Sequence, residues 1–162
     1  MSTVNIWIVR EYFEAQGYMV SQPHKYVAPG RAKTAEEELD LLVTHPLITE
    51  QKIPAHVLWT GADLRAVPHA VVGIRGWHTE RFYAARFDAT PEILRFSSPE
   101  TVRFAAARLG TSAIAKILCV PQLPDSGELK DKTLKTLRDK GIDGVLPFRT
   151  ILLEILAGID KN

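Results

Sequence analysis

The chain has a single cysteine, Cys119, inside the apolar run Ile117-Leu118-Cys119-Val120. That excludes an intrachain disulfide and a zinc ribbon, and it fits a reducing, cytoplasmic compartment. A cysteine in such a run packs as a small hydrophobe. The five histidines show no zinc-binding spacing. No apolar run approaches membrane-spanning length, and Met1 to Arg10 lack a basic region followed by a signal-like core, so no membrane partner is expected. Charge of one sign is also lacking: 20 basic against 19 acidic residues leave a net charge of +1, too small for a global field toward nucleic acid or an acidic partner. Gly73-Ile74-Arg75-Gly76 lacks the Lys-Ser/Thr ending of a phosphate loop. There is no Gly-x-Ser-x-Gly elbow either, and Ser97-Ser98 suits a helix cap better than a nucleophile. Without repeats, low-complexity tracts or a linker, the 162 residues are expected to fold as a single domain, 1–162.

What is present is a legible succession of elements. Val9, Tyr12 and Phe13 recur at helical spacing ahead of Gly17, a suitable C-cap, and Tyr18 to Gln22 reads as a strand ended by Pro23. A loop rich in Pro, Gly and basic residues, Pro23 to Lys33, leads into an acidic cluster and an apolar strand, Glu36 to Val43. His45 to Pro68 is the least regular stretch, broken by Pro46, Pro54 and Pro68. The strand Ala70 to Trp77 follows, then a loop around Ala84 to Arg95. Ser98-Pro99-Glu100 opens a helix that Gly110 ends, and Lys116 to Val120 is an apolar strand closed by Pro121. Asp125-Ser126-Gly127-Glu128 has the form of a capping box before a helix stopped by Gly141. A short strand, Ile142 to Leu146, and an apolar helix, Phe148 to Ile159, complete the chain.

Two of these strands carry chemistry. Side chains two apart on a strand share a face, so Glu38 and Asp40 are expected on one side, with Leu39, Leu41 and Val43 turned to the core. Gly73, Arg75 and Trp77 share a face by the same rule, opposite Val72 and Ile74. Antiparallel pairing of the two strands would bring Asp40 to the Gly73/Arg75 surface.

The acidic strand followed by Gly73-Ile74-Arg75-Gly76-Trp77 resembles the PD-(D/E)XK, or restriction-endonuclease-like, nuclease superfamily with a degenerate motif. The family's first strand carries a metal-binding Asp and its next carries Glu-x-Lys. Here Asp40 falls on the Asp position, while the Glu is Gly73 and the Lys is Arg75. The resemblance implies an α/β fold with a restriction-endonuclease-like core: a mixed β-sheet flanked by helices, in the order α-β-β-β-α-β plus a C-terminal α-β-α. It covers about the first three-quarters of the chain. In an intact site two carboxylates would hold Mg²⁺ and the Lys would position or activate water. Gly73 supplies no ligand, and a guanidinium does not take up the role of a base.

The expected function is therefore a catalytically impaired domain with a retained nucleic-acid-associated binding role. The alternatives are an active Mg²⁺-dependent DNA nuclease with a migrated carboxylate, or a purely structural or protein-interaction module. Asp40 and Arg75 are the candidate site, with Glu38, Glu80 and Glu11 as possible substitutes for the missing acid. Against these stand plainer readings: a solvated charge run for Glu38, an Arg10–Glu11 surface pair on the first helix, and an Asp40–Arg75 ion pair where a metal would sit. His78 is a candidate base whose plainer reading is a surface histidine. Asp40 is the metal ligand if there is one; no cofactor is otherwise implied. A surviving groove would offer phosphates Arg75, Arg81, Lys25, Arg31 and Lys33, binding DNA weakly and with steep salt dependence; a protein is the other partner class.

Overall fold

The computed structural model describes residues 3–23, 34–76 and 81–160. Helix α1 (Thr3–Ala15) leads into β1 (Met19–Ser21), and a one-turn helix α2 (Ala35–Glu38) precedes β2 (Leu41–Thr44). A second one-turn helix, α3 (Gly61–Leu64), precedes β3 (His69–Ile74). Then come α4 (Ala84–Ala89), a 3₁₀ segment (Pro91–Ser97), α5 (Pro99–Leu109), β4 (Ala115–Val120), α6 (Gly127–Asp139), β5 (Gly144–Pro147) and α7 (Phe148–Asp160).

The five strands lie side by side in chain order. β1/β2 and β2/β3 are antiparallel, β3/β4 and β4/β5 parallel, so the sheet is mixed and flanked by helices as expected. The parallel half follows from α5 and α6 serving as crossovers, each long enough to carry the chain back across the sheet.

Strands β2 to β5 are buried on both faces, while β1 at the border is partly exposed. Leu41, Val43, Val72, Ile74, Ile117 and Cys119 face a layer built by Val9, Tyr12 and Phe13 of α1, Ile151 of α7 and Trp59. Leu42, Val71, Leu118, Val120 and Val145 face the opposite layer, where Phe87, Phe96, Ala105 and Leu137 cover them. Burial on both sides explains why β3 and β4 read as nearly continuous apolar runs rather than alternating ones.

Helix ends follow local chemistry. Ser98 accepts a hydrogen bond from the Thr101 N–H at 3.2 Å with Pro99 at the first helical position, and Gly110 closes α5 with φ +71°, a left-handed conformation that favours glycine. The capping box expected at Asp125–Glu128 does not form: Ser126 is the N-cap but its side chain makes no capping bond, and Asp125 pairs instead with Arg81 at 2.6 Å.

Two other expectations are corrected. Glu36 to Glu38 are helical, not extended, because Thr34-x-x-Glu37 forms a reciprocal capping box: the Thr34 N–H donates to Glu37 Oε2 at 2.9 Å, and the Glu37 N–H donates back to Thr34 Oγ1 at 3.4 Å. The period-two reading therefore fails before residue 41, and Leu39 packs with Leu42 rather than in the Leu41/Val43 layer. The stretch Ala84 to Arg95, expected as loop, is α4 and most of the 3₁₀ segment, held down by buried Phe87, Ile93 and Phe96.

Candidate functional site

Asp40 lies one residue before β2 and Arg75 one residue after β3, so the antiparallel register sets them at the same end of the sheet. Arg75 Nη1 donates to Asp40 Oδ2, and the Ile74 N–H donates to the same oxygen at 2.8 Å. Arg75 Nε donates to the Ile93 carbonyl at 2.9 Å and Nη1 also to the Ile74 carbonyl at 3.0 Å. The guanidinium stacks over Phe96, 5.4 Å from the ring centroid. Both side chains of the pair are 16% exposed, so the charges are mostly out of water and each satisfies the other.

The space next to the pair, over Gly73 on β3, is closed by an aromatic ring. Gly73 packs directly beneath Phe96: a Cβ built on residue 73 would stand 2.7 Å from Cγ of the ring, and closer still to its edge. Phe96 is fully buried and fixed by the 3₁₀ segment. Glycine is needed at 73 because an aromatic ring occupies the space a side chain would enter.

These residues do not suit Mg²⁺. A hard cation asks for several oxygen ligands, whereas Asp40 is engaged by a cation and a backbone N–H, and its neighbour on β3 has no side chain. Among the described residues, no three His, Cys, Asp or Glu side chains converge in a way that could hold a metal. Cys119, on the strand beside β3, has its thiol pushed up from the ordinary 9.0, first by burial and then by the charge of Asp40.

The possible substitutes are scattered. Glu38 ends α2 and is buried beside a depression lined by Arg95, Thr101 and Arg103, away from the strand face on which it was expected. Glu11 is exposed on α1, and Arg10 pairs not with it but with Glu14 one turn on, at 2.9 Å. Of the phosphate-binding candidates, Arg75 is committed to Asp40. Arg81 is part-exposed, with Nε donating to Gln122 Oε1 at 3.0 Å and a guanidinium nitrogen on Asp125. Trp77, His78, Glu80, Lys25, Arg31 and Lys33 lie outside the described residues.

Sequence reasoning missed a groove of about 780 Å³ at the C-terminal ends of β4 and β5. Pro121, Leu123, Ile8, Phe148 and Leu153 form its walls, and Lys130 lies at its edge. One of its lining residues, Asn5, donates through Nδ2 at 3.1 Å to the carbonyl of Gly76, the residue after Arg75. The available signal was Pro121-Gln122-Leu123-Pro124 leaving a strand with parallel neighbours, since open α/β sheets hold ligands outside the carboxyl ends of such strands.

Compared with protein-family models, curated proteins and solved structures, the chain matches none, so its geometry alone carries the functional reading.

Proposed function

We propose that this chain is a restriction-endonuclease-like domain that has exchanged metal-dependent hydrolysis for binding, and that nucleic acid is its associated ligand. The observation that carries the reading is the rebuilt site. Asp40 is neutralised by Arg75, and Phe96 fills the space above Gly73. A site converted to an ion pair and an aromatic plug still organises the end of the sheet while offering no room for two carboxylates and a hydrated cation.

The mixed sheet in chain order and the succession of helices around it support the family part of the proposal. The groove supports the binding part: Lys130 and Arg149 are among its lining residues, Arg81 is held on its Asp125, and Lys25, Arg31 and Lys33 are the further phosphate-binding candidates of the sequence. Because the whole chain carries only +1, affinity for DNA is expected no tighter than about 10⁻⁶ M.

The test combines cleavage and binding. Purified protein with Mg²⁺ or Mn²⁺ leaves plasmid, linear and branched DNA intact; cleavage abolished by Asp40→Ala would refute the loss of hydrolysis. Titration of duplex and single-stranded DNA gives binding at low salt that falls steeply at high salt and is reduced in an Arg81→Ala/Lys130→Ala variant. No binding even at low salt would refute the nucleic-acid reading in favour of a protein-interaction module.

A further inference from the structure

Helix α7 is apolar on both sides. Phe148, Ile151 and Ile155 turn inward, and Ile151 is fully buried. Outward, Leu152, Leu153, Leu156 and Ile159 are 45%, 53%, 57% and 63% exposed. Its one acid within the helix body, Glu154, also turns in, accepting from the Tyr12 hydroxyl and from the Gly61 N–H at 3.0 Å. The contrast with α6 is direct, since there the solvent face carries Asp131, Lys132, Lys135 and Arg138. A helix that is hydrophobic all round belongs in an interior.

We propose that two copies of this chain associate about a two-fold axis, with α7 packed antiparallel against α7 of the second copy. The spacing of the outward residues is self-complementary in that arrangement. Crossing at mid-helix sets Leu153 of one copy against Leu156 of the other, and Leu152 against the small Ala157. A two-fold contact uses the same patch twice, and this stripe meets its own reversed image.

Charge complements the same orientation. Arg149, exposed at the second position of α7, is the outward cation at the helix's beginning. Antiparallel packing places it beside the C-terminal end of the other α7, where unpaired carbonyls carry partial negative charge. Parallel packing would set the two arginines side by side. A lipid surface fits less well, because interfacial helices carry a charged face opposite the apolar one and α7 has none.

The area suits a weak dimer. Four half-exposed side chains amount to roughly 300–400 Å² on the helix, the size of the largest apolar patch on a typical monomer, which is often an interaction site. Counted over both copies that is roughly 600–800 Å², under the about 1,000 Å² of a durable interface, which suits a weak and transient contact. Dissociation constants between about 10⁻⁶ and 10⁻⁴ M are expected.

Sedimentation equilibrium of the full chain over a wide concentration range tests this. The expected result is a monomer–dimer equilibrium that Leu153→Glu or Leu156→Glu weakens at least about tenfold, with far-UV circular dichroism unchanged. Orientation is read with a short bis-maleimide, because the native Cys119 is buried. An Arg149→Cys protein mixed with an Ile159→Cys protein should cross-link between the two variants and not within either one. The inference is overturned by a protein that stays monomeric at all concentrations, by a dimer indifferent to both glutamates, or by links between like positions. Cosedimentation of a monomer with anionic vesicles would assign the face to lipid and equally overturn it.

Discussion

Adding one carbon at Gly73 tests whether Phe96 closes the space beside the Asp40–Arg75 pair. In Gly73→Ala the new Cβ would meet ring carbon Cγ at 2.7 Å, where non-bonded carbons prefer about 3.5–4.0 Å, so the ring must retreat by roughly 1 Å. Phe96 is fully buried in the layer with Phe87 and Ala105, which leaves it little room. Overpacking of this kind costs about 1–3 kcal/mol, and reduced backbone freedom in the unfolded chain returns about 0.4–1 kcal/mol. A net loss of about 1–2 kcal/mol follows. Phe96→Ala alone should cost about 3–5 kcal/mol through the cavity it opens. In the double variant the added methyl falls into that cavity, so the two losses should sum to at least about 1 kcal/mol less than their separate values. Urea unfolding of the four proteins, with the slope held common, measures the coupling. Additivity within about 0.5 kcal/mol would refute the claim that the ring occupies the space above residue 73.

Asp40→Ala strips Arg75 of its carboxylate and leaves the Ile74 N–H without its acceptor. Breaking a buried pair costs about 3–5 kcal/mol, and the 16% exposure of both partners lowers the expectation to about 2–3 kcal/mol, read by chemical denaturation. Alkaline pH should unfold the protein. Burial, and for Tyr12 also the Glu154 carboxylate, raises Tyr12 and Tyr18 above their ordinary 10.0, as burial raises Cys119 above 9.0. The folded state therefore keeps protons that the unfolded chain releases. Stability is complete below about pH 9 and falls as pH rises beyond it, at up to about 1.4 kcal/mol per pH unit for each group. Tyr12→Phe should make that decline shallower, while costing about 1 kcal/mol at neutral pH through the lost bond to Glu154. Melting curves taken at a series of pH values separate the two effects.

The succession of major elements was legible because it rests on caps, breakers and apolar runs that act locally. Ser98-Pro99 and Gly110 bracket α5 as the sequence predicts, and Pro121 follows β4. The meeting of Asp40 and Arg75 was legible too, since antiparallel register follows from which residues must be buried. What escaped depended on contacts remote in sequence. Nothing near Gly73 announces that Phe96 will lie on it, because the 3₁₀ segment looks like loop until its aromatic residues find the sheet. Thr34-x-x-Glu37 was a readable helix signal, and the acidic cluster drew attention from it. The groove joins α1, α7 and the turn after β4, three segments whose proximity only the closed fold creates.

The rims of the sheet bear on how this chain meets others. At one side β5 is bordered by Val57 to Trp59: the Trp59 N–H donates to the Val145 carbonyl at 2.9 Å, and the Val145 N–H donates to the Val57 carbonyl at 2.7 Å. At the other side β1 has only three residues. A foreign strand seeking a backbone template finds one border already taken and the other one too short to guide register. Runaway fibril growth by edge stacking is thereby discouraged in a protein whose central strands are almost wholly apolar, and contact with neighbours is left to side chains.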